Sequence, residues 1–131
     1  MLSTTITSAF ATAAALSGPA LAAPTKAQFA GDITYYDTGL GACGQTHTND
    51  DMIAAISKIM FDPHTPGGNP NENTLCNKRA RVHYNGKIIE VTVVDRCEGC
   101  AEQDIDLSRG AFAKFEDPNV HGRLKGSWEW I

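Results

Sequence analysis

Three aspartates could do chemistry. Asp95 closes a strongly alternating stretch, Asp106 follows eleven positions later, and Asp37 comes directly after Tyr35-Tyr36. Carboxylates held on one surface can accept strong hydrogen bonds from a ligand's hydroxyls, or share a proton as general acid and base. Each also has a plainer reading. Asp106 precedes Ser108 and could help cap a helix that starts there. Asp95 could pair with its neighbour Arg96, and Asp37 could open the turn Asp37-Thr38-Gly39. Tyr35 and Tyr36 point to opposite faces of a regular strand, so one belongs to the core and the other could stack on a ring. The four histidines, His47, His64, His83 and His121, have no metal-ligand spacing, and no Ser-His-Asp or Cys-His arrangement is visible. No metal is expected.

The cysteines depend on where the protein resides. Met1 to Ala22 carries no charged side chain, has an apolar run from Phe10 to Leu16, and ends Ala20-Leu21-Ala22, a small-x-small cleavage pattern. Its n-region lacks Lys and Arg, but Gly18-Pro19 would break a helix, and the run is too short to span a membrane. Residues 1–22 therefore read as a secretory signal peptide and residues 23–30 as a short leader. In an exported domain, the four cysteines, Cys43, Cys76, Cys97 and Cys100, read as two disulfides with three possible connectivities. Cys97-Glu98-Gly99-Cys100 could also be a redox motif or half a zinc site. There is no βαβ unit to carry the first, and Cys43 and Cys76 are too isolated for the second.

The chain has 131 residues, 42% of them hydrophobic and 20% charged, with a net charge of -4. That composition is globular, and its mild acidity argues against binding nucleic acid or anionic lipid. The elements that must hold the candidate residues are mostly strands. Ile33 to Tyr36 is β-rich. Asp50 to Phe61 places Met52, Ile53, Ile56, Ile59 and Met60 at helical spacing and predicts a short amphipathic helix. Asp62 to Thr74, with its prolines and glycines, predicts an extended loop. Arg79–Tyr84 and Lys87–Asp95 alternate around Asn85-Gly86, the preferred two-residue hairpin turn. Ser108 caps a second helix reaching Phe115, and Leu124 to Ile131 is a closing strand on which Trp128 and Trp130 share a face. Several short strands with few helices predict a small barrel or sandwich.

The order Ile33-Thr34-Tyr35-Tyr36, Ala42-Cys43-Gly44, Val93-Val94-Asp95-Arg96-Cys97 and Asp106-Leu107-Ser108 with Ala111-Phe112 resembles the double-psi β-barrel of expansin-like proteins. The single-domain loosenin type is the nearest resemblance, through Met60-Phe61-Asp62-Pro63-His64 and Asn69-Pro70-Asn71. Related barrels include family-45 endoglucanases, rare-lipoprotein-A-type lytic transglycosylases, and barwin-like and papain-inhibitor proteins. The resemblance implies a mainly β fold, a six-stranded double-psi β-barrel with short helices over residues 31–131. It implies a polysaccharide groove, with Asp106 as the family's hallmark aspartate, Tyr36 at a stacking position and Asp95 nearby. It also implies the pairs Cys43–Cys76 and Cys97–Cys100. This chain departs from the pattern at Ile105, where an aromatic or His often stands, and at Cys97, which replaces a groove aromatic of bacterial expansins.

The expected function is a secreted, extracellular, monomeric protein that binds cell-wall polysaccharide such as cellulose or chitin and loosens it without hydrolysis, using no cofactor. Two alternatives stand beside it. Tyr35-Tyr36-Asp37 resembles the segment that supplies the catalytic base in family-45 endoglucanases, so Asp106 as acid and Asp37 as base would make a hydrolase or lytic transglycosylase. A barwin-like or papain-inhibitor protein of defence is the other. Trp128 and Trp130 read as core, and His64 as a rim residue of the groove.

Overall fold

A computed structural model describes residues 27–131. The expected signal peptide over 1–22 lies outside the described residues, as does the first half of the 23–30 leader, residues 23–26. Six strands are present: β1 (Phe29–Tyr36), β2 (Ile53–Ser57), β3 (Arg79–Tyr84), β4 (Lys87–Cys97), β5 (Ile105–Ser108) and β6 (Leu124–Trp130). They close into a barrel in the order β1-β5-β2-β4-β3-β6. β1 runs parallel to β5 and β2 parallel to β4, while the other four pairings are antiparallel. Closure leaves no free sheet edge, which removes the usual hazard of unpaired strand backbone.

The hairpin forms as its sequence requires. Asn85 and Gly86 take φ of 48° and 79°, the positive values of a type I′ turn, and Tyr84 pairs with Lys87. Alternation then sends Ala80, Val82, Val91 and Val93 inward, all with no exposed surface. Ile33, Ile105, Leu107, Ala54 and Ile56 join them from β1, β5 and β2, and Phe61, Phe112 and Trp128 complete the core.

Two expectations need correction. The first predicted helix is mostly a strand: β2 covers Ile53–Ser57, and only Lys58–Phe61 (α1) is helical. All five β2 residues are buried because the strand lies between β4 and β5 with both faces covered. A strand buried on both faces reads as a continuous apolar run, so the spacing Ile53, Ile56 mimics a helix. Asp51, at the head of that stretch, belongs to a turn, in which the Thr48 N–H donates to Asp51 Oδ2 at 2.9 Å. The second correction is to the barrel boundary. β1 begins at Phe29, inside the stretch read as leader, where Phe29 and Ala30 pair with Trp128 and Ser127. The loop after α1 winds through three short 3₁₀ turns at Asp62–His64, Pro66–Gly68 and Pro70–Glu72. A second helix, α2, covers Arg109–Phe112, and the Ser108 hydroxyl accepts from the Ala111 N–H at 3.2 Å as its cap.

Candidate functional site

Asp106 stands between Ile105 and Leu107, which both point inward with no exposed surface. Alternation therefore turns Asp106 to the outer face of the barrel wall. On the same rung Thr34 pairs with Asp106, Asp106 with Ala55, and Ala55 with Asp95. Opposed residues on neighbouring strands share a face. The rung thus carries two carboxylates with one alanine between them, two strand spacings or roughly 10 Å apart at the backbone.

Asp95 reaches this face through an irregularity. Strict alternation from Val91 and Val93 would send it into the core. The β2–β4 register instead shifts between Ala54 and Ala55, which face Val93 and Asp95, and Val94 is left over as a bulge. The bulge has a second effect. Its carbonyl is free to accept the Cys43 N–H at 3.2 Å, while Asp95 Oδ1 accepts the N–H groups of Ala42 and Arg96, both at 2.8 Å. Asp95 is therefore both a wall carboxylate and the anchor of the Gly39–Gly44 loop.

Tyr36, two residues beyond Thr34 on β1, shares the face that carries Asp106. Burial first, then the charges of Asp95 and Asp106, push its phenol well above the ordinary tyrosine range. Its hydroxyl stays protonated and can donate. Tyr35 takes the other face as expected: its ring meets Phe112 edge-on at 5.0 Å, and its hydroxyl donates to Pro118 O at 2.8 Å.

The carboxyl of Asp106 is pushed up, chiefly by burial and further by the Asp95 and Asp104 charges. A 2.7 Å bond from Thr34 Oγ1 and the charge of Arg123 oppose that rise. Arg123 is itself engaged with Asp32 at 2.7 Å. Asp106 opens into a depression of about 300 Å³ lined by Thr34, Cys97, Gly99, Cys100, Asp104 and Arg123 among others. Past Asp95 lies a second depression, about 440 Å³, lined by Ala42, Asp62, Thr65, Gly68, Pro70 and Arg96. Arg96 grips Asp62 through two bonds of 2.7 and 2.9 Å.

The cysteines pair as Cys43–Cys76 and Cys97–Cys100, and none of the described residues is a free cysteine. The Cys97 and Cys100 sulfurs and an Asp106 oxygen lie within 4.8 Å of one another, close enough for metal ligands. Joined to each other, those sulfurs offer no thiolate. The loop they close is fixed from behind, where Asp104 accepts the N–H groups of Asp32 at 2.9 Å and Ala101 at 3.0 Å, and Ser57 Oγ donates to Glu102 O at 2.7 Å.

The remaining candidates lie apart from the wall. Asp37 is gripped by Arg109 at 2.6 Å, contacts Asn49 at 3.4 Å, and is held below the usual carboxylate range, first by the Arg109 bond. Arg109 also covers the Tyr35 ring at 4.7 Å. Trp128 is core, 1% exposed, packed on Phe29 and donating to Gln103 O at 2.9 Å. Trp130 meets Trp128 edge-on and carries Lys78 over its ring. His64 sits in the first 3₁₀ turn, exposed, with its carbonyl accepting the Thr74 N–H. Ala55 was missed by sequence reading, because a residue assigned to a helix face gives no sign of standing between two carboxylates.

Residues 28–126 match the sequence profile of the lytic transglycolase family, a double-psi β-barrel domain. The chain is 38% identical over 120 residues to a papain inhibitor of Streptomyces mobaraensis, covering 87% of this chain and 80% of that protein. It is 41% identical over 87 residues to the Allergen Asp f 7 homolog of Arthroderma benhamiae, which spans 65% of this chain but 28% of the allergen homolog. Among solved structures, the Streptomyces papain inhibitor superposes with a TM-score of 0.70 at 37% identity, covering 80% of this chain and 94% of the inhibitor. A mutant Clavibacter michiganensis expansin in complex with cellohexaose superposes at 0.63 with 25% identity, covering 80% of this chain and half of the expansin.

Proposed function

Because the chain belongs to the lytic transglycolase family of double-psi β-barrels, we propose that it is an exported protein that binds cell-wall polysaccharide on its outer wall and loosens it without cleaving it. One observation carries this reading: the rung Thr34–Asp106–Ala55–Asp95, with Tyr36 on the same face of β1 as Thr34. Tyrosine offers a sugar ring an apolar face, and carboxylates accept strong hydrogen bonds from its hydroxyls. These contacts compete with those that glycan chains make with each other. The likeness to an expansin in complex with cellohexaose supports the ligand class. Two disulfides support export, since they persist in oxidising compartments.

The non-hydrolytic reading rests on the second carboxylate. Hydrolysis with inversion needs an acid and a free base about 6.5–9.5 Å apart. Asp37 is occupied by Arg109, and Asp95 spends one oxygen on two backbone N–H groups. Co-sedimentation with cellulose, chitin and xylan, with a reducing-end assay alongside, tests the proposal. Wild type should bind at least one of the three and release no reducing ends. Asp106→Asn should weaken binding about tenfold or more, as expected for one charged hydrogen bond. Release of reducing ends that Asp37→Asn or Asp106→Asn abolishes would replace this reading with the hydrolase.

A second reading is favoured by the identity to a papain inhibitor over nearly the whole of that protein. On that reading the protein blocks a papain-type cysteine protease, and papain inhibition at micromolar protein is its test.

A further inference from the structure

Several exposed apolar residues lie outside the polysaccharide wall, Leu40, Val120, Ile88 and Ile59 among them. Leu40 is 74% exposed, the most exposed large apolar side chain among the described residues. A single exposed leucine is ordinary. Its mounting is not. Leu40 bridges to Thr46, the Gly41 N–H donates to Gln45 O and the Gly44 N–H to Gly41 O, both at 2.9 Å, and the His47 N–H donates to Gly39 O at 3.0 Å. Behind the tip, Ala42 is fastened to Asp95, Cys43 to the Val94 carbonyl, and Cys43 to Cys76 by the disulfide. An apolar residue is thus held in water on a loop fixed at nearly every position.

The flanking glycines add an independent observation. Gly41 is required internally, since a Cβ there would lie 2.7 Å from the Val94 carbonyl. Gly39 is not. Its φ is not positive, and a Cβ there would meet nothing within 4 Å. Neither the backbone nor the packing of this chain accounts for glycine at 39. The open space at Gly39 leaves room for another molecule's backbone beside Leu40.

We infer that the Gly39–Gly44 loop is a wedge that enters the active-site cleft of a papain-type cysteine protease, with Leu40 filling a hydrophobic specificity pocket. This inference rests on the inhibitor reading given above and names its contact. A rigid loop loses little conformational freedom on docking, so the burial of Leu40 is not offset by ordering the chain. A single apolar side chain at the centre of such a contact carries much of the binding energy. The loop and the wall share Asp95 as a fixing point but present different residues to solvent.

The test measures inhibition constants against papain with a small chromogenic substrate for wild type, Leu40→Ala, Leu40→Asp, Gly39→Val and Asp106→Asn, each with its melting temperature. Leu40→Ala should weaken inhibition about tenfold or more and Leu40→Asp about a hundredfold, as for truncation of a hot spot and for a charge placed in an apolar pocket. Gly39→Val should weaken it about tenfold. Asp106→Asn should inhibit as wild type does, and all melting temperatures should stay within a few degrees of it. Full inhibition by Leu40→Asp overturns the assignment of the loop while leaving the inhibitor reading in place. A wild type that does not inhibit papain overturns the inhibitor reading itself, and the wedge with it.

Discussion

Asp106 ionises at a stability cost, the reverse of the acids that hydrogen bonds hold low. Its carboxyl is pushed up by burial, so the folded state holds its proton at pH values where the unfolded chain has released it. The contribution of this group is then favourable below about 3.8, the ordinary value, and is lost as pH rises through the raised one. Asn at this position can still accept from Thr34 Oγ1 and carries no charge to desolvate. Asp106→Asn should therefore be at least as stable as wild type at pH 7, with the advantage vanishing below about pH 4, as read from urea unfolding across pH. A variant markedly less stable at pH 7 would mean that Asp106 serves the fold and not the wall. Asp32, Asp37, Asp51 and Asp62 have the opposite sign. Each is held low by its hydrogen bonds, from Lys125 and Arg123, Arg109, Thr48, and Arg96 in turn. Their stabilisation is present above the ordinary carboxylate value and fades as pH falls through the lowered one, so acid below about pH 4 should loosen the loops they fasten.

At the scale of elements, local chemistry decided what could be read and long-range pairing decided what could not. The hairpin was legible because Asn85-Gly86 permits little else and its flanks alternate. Ser108 was legible as a cap because its hydroxyl serves a neighbour three residues on. β2 was not, since its burial comes from β4 and β5, neither of which can be identified from Ile53–Ser57 alone. The Val94 bulge was invisible for the same reason, and without it alternation along β4 sends Asp95 to the core side. Asp106 and Tyr36 could be named as wall residues only through resemblance; what brings them beside Asp95 is a register spread over four strands. The bulge yields a prediction of its own. Ala at position 41 would put a Cβ 2.7 Å from the Val94 carbonyl and 3.3 Å from the Asp95 carboxyl carbon. Gly41→Ala should cost about 1–3 kcal/mol in chemical denaturation, the usual range for forced overpacking. It should also weaken glycan binding, because the loop that fixes Asp95 must move. Unchanged stability would show that the loop yields freely and that Asp95 is not its anchor.

Across the whole molecule, the two disulfides do different work because they close loops of different length in different places. Cys43–Cys76 spans a sequence separation of 33 and ties the Gly39–Gly44 loop to the segment before β3. Cys97–Cys100 spans only 3 and sits beside Asp106, in a loop already fastened through Asp104 and Glu102. A crosslink stabilises mainly by restricting the unfolded chain, and the restriction grows with loop length. Removing the long bridge with Cys43→Ala and Cys76→Ala should lower the unfolding free energy by about 3–4 kcal/mol, and removing the short one with Cys97→Ala and Cys100→Ala by about 2 kcal/mol or less. Function should divide the other way for the glycan. The short bridge lines the depression into which Asp106 opens, so its loss should weaken co-sedimentation with polysaccharide more than the loss of the long bridge, measured at a temperature where both variants are folded. Papain inhibition should respond in reverse, falling with the long bridge that stiffens the Leu40 loop and holding with the short one. If both activities tracked stability alone, falling most for the Cys43–Cys76 variant in each assay, the wall and the loop would not be separate surfaces, and the assignment of glycan contact to the Asp106 side of the barrel would fail.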